Sequence, residues 1–162
     1  SERLADMGAT WNLSEGDRIP AVAEYCPTFE GVSDTEKKKT YPLQMIGFHD
    51  KGHTHSTYYS VAMLREAVPH MVWMNPLDAQ ARGLKQGDMA EIFNDRGRIH
   101  IAVRVTERIL PGVIGVPQGA WRNTNAEGVD VGGCINTLTT QRPSPLAKGN
   151  PQHTNLVEVK RA

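Results

Sequence analysis

The sequence predicts a small, mainly β barrel with short helical insertions. Three observations lead there. Short apolar or alternating segments recur from Tyr41 to Val159. Turn residues separate them at close intervals, and the strand–helix–strand alternation of an α/β sheet is missing. The 162 residues, 39% of them apolar and 22% charged, suffice for one domain with a real core.

Taken in order, residues 1–40 differ from the rest. They hold scattered Gly and Pro, the turn cluster Ser14-Glu15-Gly16-Asp17 and the run Glu36-Lys37-Lys38-Lys39. No period persists, so this stretch reads as an arm or linker from a preceding domain, with solvated lysines. The barrel domain is expected over 41–162.

Tyr41 to Phe48 reads as a strand ending near Gly47, Val61 to Ala67 as a short helix, and Met71 to Met74 as a short buried strand. Asn75-Pro76 then opens a helix, because Asn caps well and Pro suits the first helical position. Asp78 favours the first turn, and Gly83 ends the helix. Asp88–Phe93 and Arg98–Val105 alternate with period two around Asn94-Asp95-Arg96-Gly97, which predicts a β-hairpin with a self-satisfied turn. Ile101, Val103 and Val105 share one face; His100, Ala102 and Arg104 share the other. Val113–Pro117 follows the Pro111-Gly112 turn as a strand, and Leu156–Val159 is the last.

The net charge is zero, which argues against a nucleic-acid partner, where a basic excess supplies most of the affinity. Residues 1–81 carry 7 Lys/Arg and 11 Asp/Glu, and residues 82–162 carry 11 and 7. A basic second half suits an anionic ligand. Cys26 and Cys134 are too few and too far apart for a disulfide framework or zinc knuckle, and read as free thiols. No apolar run reaches membrane-spanning length. The first residue is Ser1 rather than Met, so the chain is expected to be a piece of something larger.

The C-terminal third is the most informative part. From Gly132-Gly133-Cys134-Ile135-Asn136 through Arg142-Pro143-Ser144-Pro145 to Gly149-Asn150-Pro151-Gln152-His153-Thr154 it is rich in Gly, Pro, Asn, Gln and Thr. A long polar loop kept beside a barrel is expected to lie over a large polar ligand.

Four segments together resemble the molybdopterin-dinucleotide-binding domain of the dimethyl-sulfoxide-reductase family of molybdenum oxidoreductases. They are Asn75-Pro76-Leu77-Asp78-Ala79, Gly83-Leu84-Lys85-Gln86-Gly87-Asp88, Asn94-Asp95-Arg96-Gly97 and Ile109-Leu110-Pro111-Gly112-Val113. A narrower match, to the catalytic subunit of the anaerobic enzymes, is carried by Tyr41-Pro42-Leu43-Gln44 leading to His55-Ser56-Thr57-Tyr58, by Gly132–Asn136, and by Gln141–Asn155. The resemblance covers about residues 41–160. It implies a double-psi β-barrel. It implies bis(molybdopterin guanine dinucleotide) molybdenum in the full-length parent, with the metal ligand in an earlier domain and none of the cofactor bound to the isolated fragment. It further implies other domains of the same subunit and an iron–sulfur electron-transfer subunit as partners. The substrate would be a small sulfoxide or N-oxide, and the parent periplasmic or membrane-associated through a partner subunit.

The candidate cofactor-binding residues follow. Gly47-Phe48-His49-Asp50 with His53, His55, Ser56 and Thr57 match a family loop that touches pterin and phosphate; His55 and Ser56 match its His-Ser pair. Relatives often carry Arg near His53, and an imidazole lacks the guanidinium's fixed fork. Asn136 matches a family Asn at the pterin. Asn150 and Gln152 join the set because amides present donors and acceptors together to the mixed edges of a pterin. Against these stand plainer readings: strand-end hydrogen bonding for His49, turn chemistry for Ser56, Thr57 and Asn136, and a Pro-braced connection for Asn150 and Gln152. Capping accounts for Asn75 and Asp78. Trp73 and Trp121 read as core or domain-interface residues.

Two other functions compete. His49, His53 and His55 could collect a metal ion in a small carrier or hydrolase. A non-catalytic binding module is the other, although the polar loop lacks the apolar patch such a module wants.

Overall fold

The computed structural model describes Arg3, Asp6, Pro20 and residues 22–25, 27–144, 147–151 and 153–162. Six strands close a barrel: β1 (Leu43–Phe48), β2 (Met71–Met74), β3 (Met89–Asn94), β4 (Gly97–Val105), β5 (Val113–Pro117) and β6 (Asn155–Arg161). Their order round the barrel is β1-β5-β2-β4-β3-β6. β1 runs parallel to β5 and β2 parallel to β4; the other four pairings are antiparallel. Two short helices, α1 (Ala62–Ala67) and α2 (Pro76–Ala81), are the insertions among the described residues. This is the mainly β, closed barrel that the sequence predicts.

Period-two alternation drives the inward faces. In β4, Ile99, Ile101 and Val103 are buried while their neighbours are not, and Val105 packs at the core's edge. With Met45, Val72, Met74, Ile92, Ile114, Val116, Val157 and Val159 they fill the interior. Burial of these side chains contributes roughly 1.5–3 kcal/mol each.

Local signals work as the sequence suggests. Asn75 caps α2 by accepting from the Leu77 amide at 3.0 Å, and its own amide donates to the Ile109 carbonyl at 2.8 Å. Gly83, at φ +64°, follows the helix. Its amide bonds Gln80 O, and the Leu84 amide bonds Ala79 O, which satisfies the last carbonyls. Asp78 accepts from the Gly112 amide at 2.8 Å, so it ties α2 to the turn before β5.

The hairpin turn departs from expectation. Asn94 pairs with Gly97, yet the Asn94 and Arg96 side chains do not satisfy the turn alone. They reach Leu138, Leu156 and Glu30. Lys37 is likewise no solvated linker charge, for its ammonium bonds Glu30 at 2.8 Å and Asp95 at 3.2 Å. Glu30 itself is 1% exposed. A buried carboxylate needs such partners, because leaving it unpaired costs several kcal/mol, on the order of 3–5 when a partner is removed.

The register places five chain segments at one end of the barrel. β1 and β5 run side by side and finish together at Phe48 and Pro117. β2 is antiparallel to β5, so His70 lies at that end. β6 starts at Asn155 opposite Met45, so the chain entering it comes from the Phe48 side. The β3–β4 turn lies beside the start of β6.

Candidate functional site

The site is built on the end of β1. Gly47 is buried, and a Cβ there would stand 2.8 Å from the Gln118 amide and 3.1 Å from Ile135. The bare glycine thus lets Gln118, after β5, and the Ile135–Thr137 3-10 turn close over β1. Phe48 turns to the outer face and packs against Trp73 at 5.0 Å between ring centroids. The guanidinium groups of Arg104 and Arg108 lie 5.3 and 5.2 Å from the Trp73 ring centroid. The Phe48 carbonyl accepts from the Gln118 amide. Packing therefore explains both Gly47 and Phe48.

Asp50 and His53 point inward. Asp50 accepts from the Gly52 amide at 2.8 Å and faces His53 Nδ1 at 3.1 Å, while His53 Nε2 bonds the Gln118 carbonyl. Between them they lock the loop to β5. Thr54 and Thr57 exchange backbone hydrogen bonds at 3.2 and 2.9 Å, making a tight turn with His55 at φ +49°. Trp121 Nε1 donates to the Ser56 carbonyl at 3.0 Å and braces that turn. His49 and His55 meet edge to face at 5.0 Å. The side chains of His49, His55, Ser56 and Thr57 belong to exposed residues.

Beneath this loop lies a polar and aromatic layer in which Tyr59 and His70, absent from the sequence reading, join His53 and Trp121. Tyr59 packs against His53, His70 and Trp121 at 5.7, 5.8 and 6.3 Å, and its hydroxyl donates to Gly132 O. His70 Nε2 donates to Gly133 O at 3.1 Å, which fixes its tautomer and leaves Nδ1 buried without a partner among the described residues. Burial pushes the His70 pKa down. The bond to Gly133 and the carboxylates Asp50 and Asp130 only partly oppose this. Burial likewise raises the Cys134 thiol, so this free cysteine is protonated at neutral pH.

Asp130, 1% exposed, organises the next segment. It accepts from the amides of Asn123, Gly132 and Cys134 and from the Thr137 hydroxyl, at 2.8–3.1 Å. The Asp before Gly-Gly was the available signal, since Asp seeds such turns by bonding nearby amides. Gly132 is required by the same fold, as a Cβ would lie 2.1 Å from Trp121 O.

Asn136 sits on the 3-10 turn that Asp130 fixes. It is exposed, and its side chain makes no hydrogen bond among the described residues. Thr139 donates to the Asn136 carbonyl at 3.3 Å, and Asn150 Nδ2 reaches Thr139 Oγ1 at 3.4 Å. Asn136 and Asn150 are thereby neighbours. Gln152 lies outside the described residues, as do Cys26 and Pro145. Of the sequence candidates, the structure brings His49, His55, Ser56, Thr57, Asn136 and Asn150 to one barrel end with exposed polar groups. It gives Gly47, Phe48, Asp50 and His53 supporting roles.

His49, His53 and His55 do not gather. Among the described residues no three His, Cys, Asp or Glu side chains stand close enough to hold a metal ion. The rim instead offers amides, hydroxyls and imidazoles, while Asp50 and Asp130 are turned inward. Such a donor set fits a pterin edge and a pyrophosphate, which want mixed hydrogen bonds and no opposing carboxylate.

A closed six-stranded barrel carrying such a rim belongs with domains that bind a nucleotide-bearing cofactor. The chain is a member of the molydopterin dinucleotide binding domain family, whose model matches residues 43–156. It is 55% identical over 99% of its length to dimethyl sulfoxide reductase DmsA of Escherichia coli K12 and 54% identical to DmsA of Haemophilus influenzae. It is 34% identical over 99% of its length to trimethylamine-N-oxide reductase 1 of Escherichia coli K12. The chain spans about a fifth of these relatives, 20%, 20% and 19% of their lengths. Acetylene hydratase from Pelobacter acetylenicus shares the fold, with a TM-score of 0.71 at 22% identity over 86% of this chain and 21% of that one.

Proposed function

We propose that the chain is the cofactor-orienting C-terminal domain of a molybdenum oxidoreductase that reduces a sulfoxide or N-oxide. The observation that carries this is the exposed Asn136 amide. The Asn136 side chain makes no hydrogen bond among the described residues, Thr139 links the Asn136 backbone carbonyl to Asn150, and the residue shares a barrel end with the Thr54–Thr57 turn. Asn136, Asn150 and Gln152 would meet the pterin edge, and the His49 and His55–Thr57 segment the phosphate side. Gly47, Phe48, Asp50 and His53 would hold that segment in shape. The cofactor, when bound, supplies the two-electron oxygen-atom chemistry. The protein's share is to bind it and fix its orientation. Residues 1–40 are in this reading an arm from the preceding domain and 41–162 the barrel domain. An iron–sulfur subunit would deliver the electrons, and the parent would be periplasmic or membrane-attached through a partner. The resemblance of the motifs supports these expectations.

A domain exchange tests the reading. The chain replaces the matching fifth of Escherichia coli DmsA, and guanine nucleotide released on denaturation is measured per polypeptide. Retention near the host level is expected. Asn136→Ala with Asn150→Ala should lower it roughly tenfold or more, at about 1 kcal/mol for each amide bond lost. A folded exchange protein without nucleotide, or full retention in the double variant, refutes the assignment.

A further inference from the structure

We propose that Glu30, Asn94 and Arg96 form a clasp that closes the base of the polar loop 139–155 and thereby positions its cofactor-facing amides. The inference rests on the role given above to Asn136 and Asn150. The two ends of the loop are Leu138 and Leu156, both fully buried. One Asn94 amide nitrogen donates to both carbonyls, at 2.9 Å to Leu138 and 3.2 Å to Leu156. Arg96 Nε donates to the Leu138 carbonyl at 2.8 Å. The Arg96 fork also grips both oxygens of Glu30, at 2.8 and 3.0 Å. Glu30 completes the ring by accepting from the Leu156 amide.

A hairpin turn does not need a buried acid from 66 positions away. A long polar loop does need its ends held, because ordering each residue costs about 1–2 kcal/mol of conformational entropy. From the clasp, further bonds run outward along the loop. The Thr140 amide donates to Asn155 Oδ1 at 2.8 Å, Asn155 Nδ2 to Pro151 O at 2.9 Å, and Thr139 joins Asn150 to Asn136. The Asn136 turn is pressed from below as well, for a Cβ on Gly97 would meet Thr137 Cγ2 at 2.8 Å. Glu30, Asn94 and Arg96 are positioning residues, acting through the loop.

Amide hydrogen exchange on the 162-residue chain provides the test. In Arg96→Met, the amides of Thr140, Leu156, Lys148 and Gly149 should exchange on the order of tenfold faster, with Val103 and Ile114 unchanged, because only a local opening has been eased. Arg96→Lys keeps a charge for Glu30 without the fork and should recover part of the protection. Should Arg96→Met fail to fold, Glu30→Gln, which keeps the volume, is read in the same way. Unchanged loop exchange, or equal acceleration in the core, overturns the clasp. In the DmsA exchange protein, Arg96→Met should also lower guanine nucleotide content severalfold, with Arg96→Lys intermediate. Loop opening with full nucleotide retention overturns the positioning role. Retention in the Asn136→Ala/Asn150→Ala variant sinks the cofactor reading instead and leaves the exchange result standing, so the two failures are told apart.

Discussion

Adding one methyl group at Gly119 should cost far more than adding one at other glycines of the same backbone class. Gly119 lies at φ +96°, and a Cβ there would sit 1.7 Å from His55 O, 2.4 Å from His55 C and 2.5 Å from the His53 ring. Backbone cannot swing aside as a side-chain end can, so the His53–Thr57 turn must move. Gly112, at φ +80°, has nothing within 4 Å of its Cβ position. Gly132 has no positive φ, but its Cβ would lie 2.1 Å from Trp121 O. The three positions separate the two costs. Gly112→Ala carries only the left-handed penalty, about 1–2 kcal/mol. Gly132→Ala carries only displacement of packed neighbours, about 1–3 kcal/mol. Gly119→Ala carries both, about 2–5 kcal/mol, and at a urea slope of about 1–3 kcal/mol per molar its midpoint should fall by roughly 0.7 M or more. Urea unfolding of the three variants gives the ranking, and histidine ring resonances report whether the His53 and His55 environments change. If Gly119→Ala unfolds within about 0.5 kcal/mol of Gly112→Ala, the close approach of Gly119 to the turn is not what shapes the loop.

Three further outcomes follow from the same geometry. Asp130→Ala removes the acceptor of four hydrogen bonds and should destabilise the chain by about 3–5 kcal/mol in thermal unfolding; a loss below 1 kcal/mol contradicts the hub. The Glu30 carboxyl is raised by burial, but the bonds from Arg96, Lys37 and the Leu156 amide outweigh this and hold it below the ordinary carboxylate value. A depressed folded pKa means that its stabilisation is present above the unfolded value, about 4.3, and is lost as pH falls through the folded one. Stability should therefore drop more steeply with acid in the native chain than in Glu30→Gln, and parallel curves speak against the pairing. His70, held down chiefly by burial, should remain neutral below the ordinary histidine value of about 6.5 in an NMR titration, and protonation at or above that value contradicts its buried environment.

How far the sequence reaches depends on how local the cause is. β2 and β5 occupy the segments read from their apolar runs, Met71–Met74 and Val113–Pro117. The cap at Asn75, the left-handed Gly83 and the alternation in β4 are set by neighbours within a turn or a strand. The motif order also marks the family. The candidate rim was partly legible, since His55, Ser56, Asn136 and Asn150 stand out as polar residues in a loop-rich context. Asp50 and His53 read the same way in sequence, yet they face inward, because Gln118 O and the Gly52 amide await them there. Tyr59 and His70 carried no signal, for the hydrogen-bond partner of each lies more than 60 positions away.

By itself, then, the sequence determined the strands, the helix caps and the chain's family, because hydrophobic period and turn chemistry act over a few residues. Closure of the barrel decided the rest. It brought the ends of β1 and β5 beside the start of β6, turned Lys37 and Arg96 from surface charges into partners of a buried Glu30, and left Asn136 facing outward. Those outcomes depend on contacts between distant segments, which no local pattern encodes and only the packed chain can set.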